Sequence, residues 1–153
     1  MNFFTDLSTN KILIAAAAGW CIAQILKTLI HFIFTKKLVA ERLVGSGGMP
    51  SSHSATVCAL CTCSCLTFGA GSPAFAISFI FAMIVMYDAM GVRRETGKQA
   101  EVLNDMLQVF ADMGRKELSP EQRLKEFVGH TPLQVLVGAL LGVAIGFAVF
   151  YMY

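Results

Sequence analysis

Four apolar stretches constrain this chain more than any other feature, because together they exceed what an ordinary water-soluble core buries. The first, Ile12–Phe34, runs 23 residues with only Gln24, Lys27, Thr28 and His31 as clearly polar interruptions. A bilayer is crossed in ~20 helical residues, so its length suffices. Ser54–Phe68 is shorter and reads as a segment that begins in the interface. Pro73–Met90 stays apolar until Tyr87 and Asp88. Leu133–Tyr153 is rich in glycine and aliphatics and ends in Phe150, Tyr151 and Tyr153, aromatics suited to a membrane–water boundary. Charged residues make up only 14% of the 153-residue chain, against ~25% in an average soluble domain. The expected fold is all-α: one membrane-embedded domain over residues 1–153, polytopic, with about four transmembrane helices and a cytoplasmic amphipathic helix, and oligomeric.

Basic residues set the expected orientation. Lys36, Lys37 and Arg42 follow the first stretch; Arg93, Arg94, Lys98, Arg115, Lys116, Arg123 and Lys125 lie between the third and fourth. The turn Gly69–Ser72 carries none, and the N-terminal tail only Lys11. The positive-inside rule then places both termini outside and the loops 35–52 and 91–132 in the cytoplasm of a multi-pass inner-membrane protein. The opening MNFFTDLSTNK has no basic n-region and no cleavage site at the usual distance, so no removed signal peptide is expected.

Within the second loop, Val102, Met106, Val109 and Met113 recur at helical spacing beside Leu103, Leu107 and Phe110. The pattern predicts an amphipathic helix over Glu95–Lys116, lying on the bilayer or covering a partner. A second short helix is expected from Ser119, with Pro120 at its first position and Gln122 two residues on, ending by Gly129. Net charge is +2, and no basic tract is interleaved with aromatics, so nucleic acid is not an expected partner. The 5 cysteines form no disulfide framework. Cys58, Cys61 and Cys65 share a helical face and read as small packing residues rather than metal ligands.

Chemistry-bearing residues gather at one end of the expected helices. Gly45-Ser46-Gly47-Gly48-Met49-Pro50-Ser51-Ser52-His53-Ser54 leads from a glycine-rich loop into a serine-capped helix start, where free N–H groups and the helix dipole favour an anion. The same residues also fit a merely flexible, capped loop. Gln24, Lys27 and His31 share one face of the first stretch, and an intramembrane lysine usually faces a cavity or partner. Snorkelling is the plainer account of Lys27 and His31. Asp88, Arg93 and Arg94 offer forked phosphate contacts, or simply an anchoring Asp88–Arg ion pair. His130 precedes the start of the last stretch, with Gln134 one turn inside. All of these fall on the expected cytoplasmic side, and cations and histidines together suggest a phosphate site rather than a metal site.

Three of these segments together carry a family resemblance: Gly47-Gly48-Met49-Pro50-Ser51-Ser52-His53-Ser54-Ala55, Met86-Tyr87-Asp88-Ala89-Met90-Gly91-Val92-Arg93-Arg94 and Gly129-His130-Thr131-Pro132. They resemble the divergent membrane branch of the type-2 phosphatidic acid phosphatase and vanadium haloperoxidase superfamily, across nearly the whole chain. The resemblance implies that His130 is the nucleophile and His53, in a motif similar to Pro-Ser-Gly-His, the acid. Lys27, Arg93 or Arg94, and Lys125 would then bind phosphate together with Ser51, Ser52 and Asp88. Gln134 stands where the family has an orienting aspartate. Glutamine can hold an imidazole but cannot stabilise positive charge on it, and losing such a carboxylate in a serine triad costs ~10⁴ in rate. The chain has about four spans where the superfamily's enzymes typically have six, and Gly138, Gly142 and Gly146 offer a small-residue ridge for packing against a partner copy.

The expected function is hydrolysis of lipid phosphate monoesters at the cytoplasmic leaflet through a phosphohistidine, with no cofactor and no metal. The partners are then the phosphorylated lipid, the bilayer and further copies of the chain. The alternative is a non-catalytic membrane protein that binds or transports phosphorylated lipid in the same cationic pocket.

Overall fold

A computed structural model of the chain describes residues 2–36, 48–113, 124 and 129–153. Among the described residues all regular structure is helical: α1 (Phe3–Ser8), α2 (Lys11–Thr35), α3 (Ser52–Phe68), α4 (Pro73–Met90), α5 (Val92–Asp112) and α6 (Pro132–Met152). Local chemistry sets most of the starts. The Asn10 side chain accepts from the N–H groups of Ile12 and Leu13 to open α2. Ser51 caps α3 by accepting from Ser54 N–H. Ser72 caps α4, with Pro73 in the first turn, where its missing N–H costs nothing. Thr131 and Gln134 form a reciprocal capping box at the start of α6.

The apolar segments thus become helices within one or two residues of the expected limits. The amphipathic helix begins at Val92, three residues before the expected Glu95, because only Gly91 separates it from α4. The short helix expected from Ser119 lies outside the described residues, as do Lys37, Arg42, Gly45, Ser46, Gly47, Arg115, Lys116, Arg123 and Lys125.

The chain is an all-α polytopic membrane protein. Helix α2, the helix that begins at Pro73 and α6 are each long and apolar enough to cross a bilayer. Helix α3 is shorter, at 17 residues, which at 1.5 Å per residue gives about 25 Å against a hydrocarbon core of ~30 Å. It is also the central helix, packed against α2, α4 and α6.

Backbone approaches backbone along this centre. A Cβ added at Gly138 would lie 2.4 Å from the Ser51 carbonyl oxygen, and one at Gly142 would lie 2.4 Å from that of Ala55. One at Gly146 would lie 2.9 Å from that of Ala59. Each four-residue step on α6 matches a four-residue step on α3, so the two helices run parallel in one-to-one register. Gly19 of α2 meets Ala55 and Ala59 in the same manner. The glycine ridge is therefore used within the chain and not, as expected, for a partner copy. Lipid tails are as apolar as leucine, so helices in a bilayer associate through close van der Waals contact rather than a hydrophobic force, and small residues permit it. The buried core is accordingly built of Ala15, Ala59, Cys63 and Ile145 on one side of α3 and Val57, Cys58 and Ala82 on the other. Cys58 and Cys63 are buried packing residues. Large side chains such as Ile77, Phe81 and Ile84 of α4 and Leu136 and Leu140 of α6 face outward.

Candidate active site

The end of the bundle where α2 and α4 finish and α3 and α6 begin collects the polar residues. His130 is held there by its main chain, its N–H donating to the Ala89 carbonyl at the end of α4 over 3.1 Å. The residue is only 1% exposed. Its Nδ1 lies 3.2 Å from Gln134 Oε1. That oxygen also accepts the Thr131 N–H at 3.1 Å, while Gln134 N–H donates back to Thr131 Oγ1 at 3.4 Å. Because a main-chain N–H needs an acceptor, the side-chain atom facing both groups is the amide oxygen. Nδ1 must then carry the proton, and the lone pair sits on Nε2. Nε2 is buried and without a hydrogen-bond partner.

His53 is the second residue of α3. Its ring lies edge-on to that of His130, with centroids 5.8 Å apart and planes at 63°. Its Nδ1 is likewise buried and unpartnered. The start of α3 is fixed by the buried Ser51, whose Oγ accepts from Ser54 N–H at 3.3 Å and from Ser54 Oγ at 3.0 Å. Ser51 N–H in turn donates to the Gln134 carbonyl at 3.1 Å, tying the cap of one histidine-bearing helix to the first turn of the other. Ser52 is also buried.

Charge reaches both rings. Lys27 is 2% exposed, and it acts electrostatically on His53 and His130, as does Arg93. Asp88 also acts on His53. Arg93 Nε donates to Asp88 Oδ2 at 2.6 Å, with both side chains partly exposed. The anchoring ion pair weighed in the sequence is thus present, and Arg93 still lends its charge to the histidines. Burial is the main force holding the His130 imidazole below its ordinary pKa of 6.5. The bond from Gln134 opposes that shift, while His53, Lys27 and Arg93 add to it. The positive ends of α3 and α6 open onto the same place.

Arg94 is exposed, and its main chain is pressed by the loop before α6: a Cβ on Gly129 would fall 2.3 Å from Arg94 Cα. Arg94, Gly97, Lys98 and Glu101 of α5 face Gly129, His130 and Thr131 across a cavity of about 210 Å³. His31, farther along α2, is only partly buried, and Lys125 lies outside the described residues.

Gln24, which the sequence places on the Lys27 face of α2, is 5% exposed with its Oε1 unpartnered. Two residues were absent from the sequence-based site. Lys98 and Glu101 follow Arg94 at i+4 and i+7, a spacing that already marks one polar face. The Ala89 carbonyl that holds His130 has no signature in sequence at all. Among the described residues no group of three or more His, Cys, Asp and Glu converges as a metal site. An unprotonated ring nitrogen, a second imidazole, a buried ammonium and a guanidinium are suited to nucleophilic attack on, or tight binding of, a phosphate.

Residues 8–145 match the family described as Divergent PAP2. The chain belongs to that family. A relative from Bacillus subtilis (strain 168), "Uncharacterized membrane protein YuiD", is 39% identical over 156 residues, spanning 97% of this chain and 99% of its own length. No solved structure matches the chain significantly. The matched region of this divergent PAP2 protein contains Lys27, His53, Asp88, Arg93, His130 and Gln134.

Proposed function

We propose that this divergent PAP2 protein is a membrane-embedded phosphatase that hydrolyses lipid phosphate monoesters through a phosphohistidine. The observation carrying the reading is the pair of edge-on imidazoles with ring centres 5.8 Å apart, each with an unpartnered buried nitrogen. A phosphate ester bound against both rings presents its phosphorus to His130 Nε2. The Nε2 lone pair forms the P–N bond as the ester P–O bond breaks, and His53 gives its proton to the departing alkoxide. His53 then takes a proton from water as the water oxygen attacks phosphorus. The P–N bond breaks, and inorganic phosphate leaves.

Lys27, Arg93 and the N–H groups at the start of α3 stabilise the oxygens of the pentacoordinate phosphorus. Arg94, which faces His130 across the adjoining cavity, extends the cationic wall. One preorganised donor at such a site is worth ~3 kcal/mol. Ser51 and Ser52 shape the helix start, and Asp88 orients Arg93. Substrate class, cytoplasmic leaflet, an inner-membrane location with both termini outside, and assembly into oligomers belong to the same proposal.

A second reading has one specific observation behind it. Gln134 replaces the carboxylate that would stabilise an imidazolium, and its amide is already engaged in capping α6. A protein that binds or moves phosphorylated lipid needs no such charge. Phosphate release by the purified protein from phosphatidate, phosphatidylglycerol phosphate and a polyprenyl phosphate separates the two. The phosphatase releases phosphate, loses ~10³-fold or more in His130→Ala, and traps phosphate on His130 in an acid quench. Folded wild-type protein that binds these lipids yet releases no phosphate is the carrier instead.

A further inference from the structure

Away from the histidines, α3, α4 and α6 diverge around an apolar groove of about 320 Å³, lined by Cys58, Cys61 and Cys65 of α3, Phe79 and Met83 of α4 and Phe147 of α6, among others. The groove exists because small residues on α3 face large ones on α4 and α6. Helix α4 is buried at its small positions Ser78, Ala82 and Ala89, and it packs Ala82, Val85 and Met86 against Val57 and Cys58 of α3. Its lining extends along α4 from Phe75 to Met86, a rise of about 16 Å. One end lies beside the candidate site. Met86 is two residues before Asp88, whose carboxylate holds Arg93, and Cys58 is five residues, about 7.5 Å, along α3 from His53. The opposite end reaches Leu66 and Phe75, at the far turn of the bundle.

We infer that this groove receives one hydrocarbon chain of a phosphorylated lipid whose phosphate lies at His53 and His130. The inference rests on the proposed reading of the histidine pair as a phosphate site, and it specifies how a lipid, rather than a soluble phosphate ester, is selected. Three observations name the occupant. The lining is apolar, the groove lies between bilayer-crossing helices, and it runs from four residues inside the end of α4 near Asp88 and Arg93 to the far turn of the bundle, a path that an extended acyl chain fills. A chain seated there lets the substrate stay in the bilayer while its headgroup enters between the two helix starts. The preference is then for chains that fill the groove.

The test uses the full chain in phosphatidylethanolamine–phosphatidylglycerol vesicles that contain phosphatidate with a diazirine midway along one acyl chain. After irradiation, mass spectrometry locates the label. The groove predicts label on Cys61, Phe79, Met83 or Phe147, reduced about tenfold by excess unlabelled phosphatidate but not by diacylglycerol. In Cys61→Phe, whose ring occupies the groove, this label is lost, and the ratio of turnover on long-chain over dihexanoyl phosphatidate falls about tenfold. Label spread equally over the outward residues Phe81 and Ile84, or label that phosphatidate fails to compete, overturns the groove and leaves only bulk lipid contact. In a variant that keeps Cys61 as its one cysteine, an oxidant-induced disulfide between two copies overturns it in favour of a dimer contact. The two proposals fail separately. Competed label without phosphate release keeps the groove and removes the hydrolase. Phosphate release with uncompeted label does the reverse.

Discussion

Gln134 has two duties that a single side-chain oxygen performs together, capping α6 through Thr131 N–H and orienting His130 through Nδ1. Glutamate at this position also completes a capping box, so Gln134→Glu retains the cap while placing a negative charge beside the ring. The expected outcome is a raised His130 pKa, seen as an acid limb of the kcat/KM profile displaced upward, with faster turnover at neutral pH. Gln134→Ala loses both duties, unfolding about 1 kcal/mol more readily in denaturant or heat and releasing phosphate slowly. The wild-type profile has its own sign. Burial holds the His130 pKa below 6.5, so the nucleophile stays unprotonated, and turnover persists, as the pH falls somewhat below that value. On unfolding, the ring returns to its ordinary pKa and takes up a proton first. The stability contributed by neutral burial is therefore present above pH 6.5 and lost as the pH drops through the folded-state pKa. Thermal unfolding of wild type and His130→Ala between pH 5 and 8 measures this, and the variant shows the weaker dependence. At this scale the gathering of the polar residues was legible. Each histidine alone fitted an inert loop or cap. His53 and His130 stood out because they converge with Lys27, Asp88 and Arg93 at one end of the expected helices. Gln134, one turn inside α6, was expected to touch the imidazole, as it does. The Ala89 carbonyl and the pressing of Gly129 on Arg94 were not legible, because main-chain contacts across the chain leave no residue-type signal.

The pairing of α3 with α6 decides where the histidines stand. Gly142→Ala puts a methyl 2.4 Å from the Ala55 carbonyl oxygen and 2.9 Å from Cys58 Cβ, and a helix backbone cannot yield locally. Overpacking of this kind costs ~1–3 kcal/mol. The displaced α6 carries His130 away from His53, so phosphate release falls more steeply than melting temperature. Ala144→Gly, a substitution at an exposed position of the same helix, loses helix propensity of ~1 kcal/mol without such a clash and serves as the comparison. Gly129→Ala is expected to act on the loop alone, moving His130 relative to Arg94 and lowering turnover with little change in the stability of the bundle. The helices themselves were legible from length and hydropathy, and their starts from Ser51, Ser72-Pro73 and Thr131-Pro132. Their partners were not. A glycine ridge looks the same whether it meets a neighbouring helix or another copy, and only the match of Gly138, Gly142 and Gly146 to Ser51, Ala55 and Ala59 decides for the former.

For the molecule as a whole, the positive-inside argument predicts that the two ends of the bundle face different compartments. In a variant without its native cysteines, a single cysteine at Tyr153 is expected to react with a membrane-impermeant maleimide in intact cells. One at Gln99, exposed on α5, reacts only after permeabilisation. The reverse pattern would move the histidine pair to the outer face and its lipid to the other leaflet. The all-α class and the collection of Lys27, His53, Arg93 and His130 at one end followed from an up-and-down path through the membrane. The central place of α3 did not, since its 17 residues made it the weakest membrane signal of the four. That place has a mechanical result. Helices adapt to a bilayer of different thickness largely by tilting, and side-chain contacts between them shift when they do. Helices α3 and α6 meet main chain to main chain, parallel and in step, so they tilt as one body. The gap between the two imidazoles is thereby insulated from the thickness and composition of the surrounding lipid, and a cell that remodels its membrane leaves the spacing of the histidines unchanged.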